Sequence, residues 1–134
     1  MNHLFQVLQA GPLRLTLAIG WSLLLTLLLL QPEADPVIDL GLPRGDSSLE
    51  REIFFIALHL LAFALTCSLW CWALARFVDR RASLYAAVLI AIGLGIATET
   101  LQSLTQDRHA SPIDLIANLG GALIAARIIW RRWR

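Results

Sequence analysis

Residues 13–30, LRLTLAIGWSLLLTLLLL, decide the fold, because only Arg14, Thr16, Ser22 and Thr26 interrupt an otherwise apolar run. A helix needs about 20 such residues to cross a hydrocarbon core about 30 Å thick. Comparable runs follow from Ile53 to about Ala75, from Leu84 to about Leu101 and from Ile113 to Trp130. Four spans at about 13–31, 53–75, 84–102 and 112–130 use most of the 134 residues. The sequence therefore predicts an all-α polytopic membrane protein, a four-transmembrane-helix bundle in one domain over residues 1–134. A secretory signal peptide is the competing reading of the first run, since Arg14 precedes a leucine-rich core. That core is too long and no A-x-A site follows Gln31, so the run is read as a retained span.

Composition agrees. Hydrophobic residues make up 57% of the chain and charged residues 16%, with a mean hydropathy of +0.66. Soluble domains carry about 25% charge, so a water-facing surface would be hard to build and a soluble enzyme is not expected. All 11 basic residues are arginine, and against 10 acids they leave a net charge of +1. Such a balance gives no uniform basic field, so no nucleic-acid partner is expected. Cys67 and Cys71 stand four apart in an apolar run and read as reduced packing residues, not as a disulfide or a metal pair.

Between the first two spans the composition changes abruptly. Residues 32–52 carry six acids, two arginines and the turn-formers Pro32, Pro36, Gly41, Pro43 and Gly45, which marks an extramembrane loop. Ser47 and Glu50 read as a capping box that starts the second helix. Arg14, Arg76, Arg80, Arg81, Arg127, Arg131, Arg132 and Arg134 belong on one side, against only Arg44, Arg51 and Arg108 on the other. By the positive-inside rule both termini are cytoplasmic and the acidic loop lies outside. Trp70, Trp72, Trp130 and Trp133 then fall at the inner interface, where indole rings anchor helices.

Ionisable groups inside a span cost about 2.5–3.5 kcal/mol each on insertion scales, so those that persist are paired or functional. Glu99 and Gln102 share a helical face with Gly95. At 1.5 Å per residue Glu99 stands about 24 Å above Ser83, in the outer part of the membrane. The fourth helix starts with Ser111 as N-cap, Pro112 at its first position and Asp114 at its third. Asp114, Asn118, Gly121 and Ala125 then follow at i, i+4, i+7 and i+11, a stripe of polar and then small residues on one face. Capping and packing are one account of that stripe, and a binding site is the other. His59 lies about 9 Å below Ile53 and shares a face with Phe63, Thr66 and Trp70. Alone it reads as a hydrogen-bonded packing histidine, but its depth matches that of Glu99 and Asn118. Arg108, beside Asp107 and His109 in the short outer turn, is placed to neutralise Glu99 or Asp114. One outward-open pocket accounts for the whole set. No metal-ligand spacing, serine elbow, phosphate loop or cofactor motif is present.

The order Glu99, Gln102, Arg108, Ser111, Asp114, Asn118, Gly121, preceded by His59 and Phe63, resembles the motif set of the VanZ-like family of bacterial membrane proteins. The resemblance is carried by TETLQSLTQDRHASPIDLIANLGGALIA and covers mainly the last three spans. Where that family often has a basic residue three before the histidine, this chain has Ile56, with Arg51 further upstream. The resemblance implies a multi-pass protein of the bacterial inner membrane, with a role in the cell envelope linked to glycopeptide (teicoplanin) resistance.

Three functions fit these residues. In the first, the pocket binds the headgroup of an envelope lipid or a lipid-linked cell-wall precursor. Arg108 and the Ser111 helix start would meet an anionic group, Gln102 and Asn118 would orient it, and envelope-biosynthesis proteins would be partners. In the second, the protein is an intramembrane hydrolase or transferase, with Glu99 or Asp114 as general base and His59 as proton shuttle. In the third the polar set is interhelical glue, aided by Gly93, Gly95 and Gly121 where helices approach closely.

Overall fold

A computed structural model describes residues 11–31, 49–104 and 112–134. They form four long helices: α1 Gly11–Leu30, α2 Leu49–Leu74, α3 Arg80–Ser103 and α4 Pro112–Arg132. No strand occurs among the described residues. All four are long and apolar enough to cross a membrane. α4 starts at the expected proline, and α2 ends within one residue of its expected end. α3 starts four residues before its apolar run, because the Asp79 side chain accepts the backbone N–H groups of Arg81 and Ala82 at 2.9 and 3.0 Å. An aspartate N-cap of this kind satisfies amides that the helix itself leaves open. The Ser47 half of the proposed capping box lies outside the described residues.

α2 packs most extensively on α4, then on α3, while α1 rests on α2 and α3. The four axes thus form a rhombus with α2 and α3 across its short diagonal. One end of this bundle gathers the start of α1, the α2–α3 turn and the end of α4. There the Arg14 guanidinium lies 4.5 Å from the Trp72 ring and donates to the Trp72 carbonyl at 3.2 Å, while Arg81 and Arg134 lie 5.7 and 5.9 Å from the Trp130 ring. Such arginine–indole pairs suit an interface where a charged head stays wet and a ring lies among headgroups.

The distribution of side chains is inverted relative to a water-soluble bundle. Leu23, Leu61, Leu89 and Ile116, one on each helix, are 66–69% exposed, whereas His59, Thr66, Ser83, Thr98, Glu99, Gln102 and Asn118 are buried. Hydrocarbon tails are the solvent that makes this arrangement stable. The chain is a multi-pass membrane protein. Its helices approach through small residues, among them Ala18, Ala87, Ala91, Ala122 and Ala125, around the fully buried Phe63 ring. Without a hydrophobic force between helices in lipid, such close approach supplies the dispersion contacts that hold them together.

Trp70 corrects one expectation. Its indole N–H donates to Ser22 Oγ at 3.0 Å inside the α1–α2 interface, and Trp21 reciprocally donates to Thr66 Oγ1 at 2.9 Å. Each hydroxyl also donates to the carbonyl four residues earlier in its own helix, so all these polar groups are satisfied within protein. Trp70 therefore clamps helix to helix in place of anchoring at the headgroups. These bonds also make α1 an integral wall of the bundle. Cys67 and Cys71 are buried free thiols, as expected.

Candidate functional site

The end of the bundle away from the arginine–tryptophan pairs holds the polar set. On α2, His59 follows Phe55 and Arg51 at four-residue intervals, so the three form one column down a helical face. Phe55 is half-buried and His59 buried, and the Arg51 guanidinium lies 5.4 Å from the Phe55 ring. A cation thus stands two turns above His59, about 12 Å along the axis, on the face that carries the histidine. The i, i+4, i+8 spacing was visible in the sequence and was the signal for it.

His59 Nδ1 meets Asn118 Oδ1 of α4 at 2.8 Å. An amide oxygen only accepts, so this bond places a proton on Nδ1 and leaves Nε2 as the other hydrogen-bonding position of the ring. Asn118 is 2% exposed, and its Nδ2 is buried with no hydrogen-bond partner among the described residues. A buried amide N–H left unmatched costs about 1–3 kcal/mol, so this donor is the position at which an acceptor gains most.

Gly95 makes this meeting of three helices feasible. A Cβ there would lie 3.3 Å from the Phe63 ring of α2 and 3.4 Å from Asn118 Cβ of α4. Gly121, one turn below Asn118, is tighter still: its Cβ would collide with the Leu60 carbonyl oxygen and lie 3.1 Å from the Ala64 backbone nitrogen. α2 and α4 therefore touch backbone to backbone directly beneath the histidine. Gly93 behaves differently from expectation, since nothing lies within 4 Å of its Cβ position. It is two residues from Gly95 and so faces away from the helices that Gly95 meets.

Glu99 stands one turn above Gly95 on α3, buried, and Gln102 is buried beyond it. Because Gly95 is level with Asn118 and α3 and α4 run antiparallel, Glu99 and Asp114 each lie about 6 Å above that level. Glu99 is therefore one turn shallower than the His59–Asn118 pair, and not level with it as the apolar run lengths suggested. Asp114 is half-buried. Gln102 Nε2 donates to the Leu29 carbonyl at 2.7 Å, satisfying one of the last carbonyls of α1 and tying the α1 end to the site. Arg108 and Ser111, with Asp107 and His109, lie outside the described residues.

The described site is thus layered. His59 and Asn118 form its floor on Gly95, Phe63 and Gly121; Glu99 and Asp114 form the next level; Gln102 and Arg51 stand highest. No protein-family model, curated protein or solved structure matches this chain.

Proposed function

We propose that this site is an outward-facing binding pocket for the polar headgroup of an envelope lipid or a lipid-linked cell-wall precursor, in a VanZ-like protein of the bacterial inner membrane. The observation that carries the reading is the Asn118 Nδ2 donor, buried without a partner beside an amide oxygen already held by His59. An acceptor oxygen entering from above would satisfy it. Phosphate or sugar oxygens supply such acceptors, while Arg108, Arg51 and the start of α4 supply positive potential for an anionic group. Glu99 and Asp114 limit that potential and select among headgroups. The arginine-rich end lies in the cytoplasm, with both termini, and residues 32–52 lie outside. Glycopeptide susceptibility is the cellular readout.

A second reading has a specific observation in its favour. A histidine held at Nδ1 by an asparagine amide has the tautomer that leaves Nε2 to shuttle protons, which suits an intramembrane hydrolase or transferase with Glu99 or Asp114 as base. The binding reading is preferred because the unmatched Asn118 donor calls for an acceptor, which a headgroup oxygen supplies without any bond being broken.

Lipid extracted from the purified protein and identified by mass spectrometry tests the proposal. The wild type should retain in stoichiometric amount a lipid that Arg108→Ala and Asn118→Leu each lose. The same lipid in equal amount from all three proteins would reject the pocket.

A further inference from the structure

A second feature lies at the opposite, arginine-rich end and on another face of the bundle. Between α2 and α4 runs a groove of about 940 Å3, open along its side. Its floor is made of small residues, Ala64, Ser68 and Ala125, and its walls of Leu61, Leu65, Ile124 and Ile128. Ser68 Oγ donates to the Ala64 carbonyl at 2.8 Å, so the floor offers no unmatched hydroxyl. From Leu61 to Ala75 the groove follows α2 for about 21 Å. Its mouth carries Arg14, Arg80 and Arg132 together with Trp72 and Trp133.

The charge at this mouth is one-sided. Eight arginines fall toward this end of the bundle, and Asp79 is the only acid near them in the sequence. The Asp79 carboxylate is already committed to the first amides of α3. Arg80 and Arg132 are exposed. A furrow of acyl-chain length that opens beside the exposed Arg80 and Arg132 and two indole rings fits one chemistry.

We propose that the α2–α4 groove is a binding site for an anionic phospholipid of the leaflet on the arginine side. One acyl chain lies between the Leu61/Leu65 and Ile124/Ile128 walls, and the phosphate is held by Arg80 and Arg132 with Arg14 beside them. Trp72 and Trp133 flank the glycerol region. Each arginine near a membrane surface is worth about a fivefold gain in affinity for an anionic lipid, and a zwitterionic phospholipid forgoes most of it. This site is independent of the headgroup pocket at the other end, and neither requires the other.

Tryptophan quenching in phosphatidylcholine nanodiscs doped with acyl-chain-brominated lipid tests the site. Brominated phosphatidylglycerol should quench more strongly than brominated phosphatidylcholine at equal mole fraction. Arg80→Gln combined with Arg132→Gln should reduce that preference about tenfold or more, and Ser68→Leu, which fills the floor, should reduce quenching by both lipids. Replacing Trp72, Trp130 and Trp133 by Phe should abolish the difference while leaving emission from Trp21 and Trp70, whose shielding in the α1–α2 interface reports that the bundle is folded. Equal quenching by the two lipids in the wild type would overturn the proposal. A preference that survives the double arginine variant would overturn it, as would one that survives the loss of Trp72, Trp130 and Trp133. A stable dimer that excludes both brominated lipids from the groove would assign the face to a second copy of the chain and overturn it too.

Discussion

At the scale of single residues, the contrast between three glycines on α3 and α4 is the sharpest test of the packing. Gly121→Ala forces a methyl group against the α2 backbone, which has no rotamer to yield. Overpacking of this kind costs about 1–3 kcal/mol or more, and it should separate α2 from α4. Gly95→Ala meets the Phe63 ring and the Asn118 side chain, which can shift, so its effect should be smaller. Gly93→Ala meets nothing and gains helix propensity, about 1 kcal/mol at most. Reversible unfolding in mixed micelles should rank the three variants in that order, and a Gly121→Ala protein as stable as Gly93→Ala would contradict the close approach. Asn118→Leu removes the His59 partner. Hydrogen bonds between membrane helices average about 0.6 kcal/mol, so a loss of about 1 kcal/mol in the same assay is expected, with folding preserved.

Among the elements, α1 depends on polar links more than the others do. Thr66→Val keeps the shape and removes the acceptor for Trp21, and Ser22→Ala removes the acceptor for Trp70. Each should cost about 0.5–1.5 kcal/mol, and because the two links use adjacent residues on α1 and residues one turn apart on α2, the double variant should fall short of or exceed the sum by a measurable coupling energy. Strict additivity in a double-mutant cycle would show that the two indole bonds act independently. Asp79→Ala should cost about 1 kcal/mol through loss of the α3 cap, read by the same unfolding measurement.

The helices were legible in the sequence because the hydrocarbon core imposes a length and an apolar composition that no soluble helix shares. Their polar inward faces were legible for the same reason: Glu99, Gln102, Asn118 and His59 are too costly to leave in lipid. What the sequence could not show was which glycine touches what. Gly93 and Gly95 look alike in a string, but they differ by 200° around the axis, since each residue turns the helix by about 100°. Trp70 was misplaced for a related reason, because an indole near a helix end is used at headgroups or between helices, and only the position of Ser22 on α1 decides. Registers between helices are set by such contacts, and this is why Glu99 proved one turn shallower than the histidine.

For the whole molecule, a polar site at one end stands across the membrane from the proposed anionic-lipid groove at the other. The proposed orientation puts them on opposite sides. In a background lacking Cys67 and Cys71, Asp39→Cys should react with an impermeant thiol reagent from outside and Arg132→Cys only after the cytoplasmic face is opened; labelling of both from one side would overturn the topology. The proposed role of the polar site is to bind a ligand without turning it over. Incubation of purified protein with a radiolabelled polyprenyl-diphosphate-linked cell-wall precursor tests it directly, by following both retention and chemical change of the label. Saturable retention of intact precursor is expected, lost in Asn118→Leu and Arg108→Ala and kept in Gly93→Ala. Release of product over many turnovers, abolished by Glu99→Gln, would contradict it and make this protein an intramembrane enzyme.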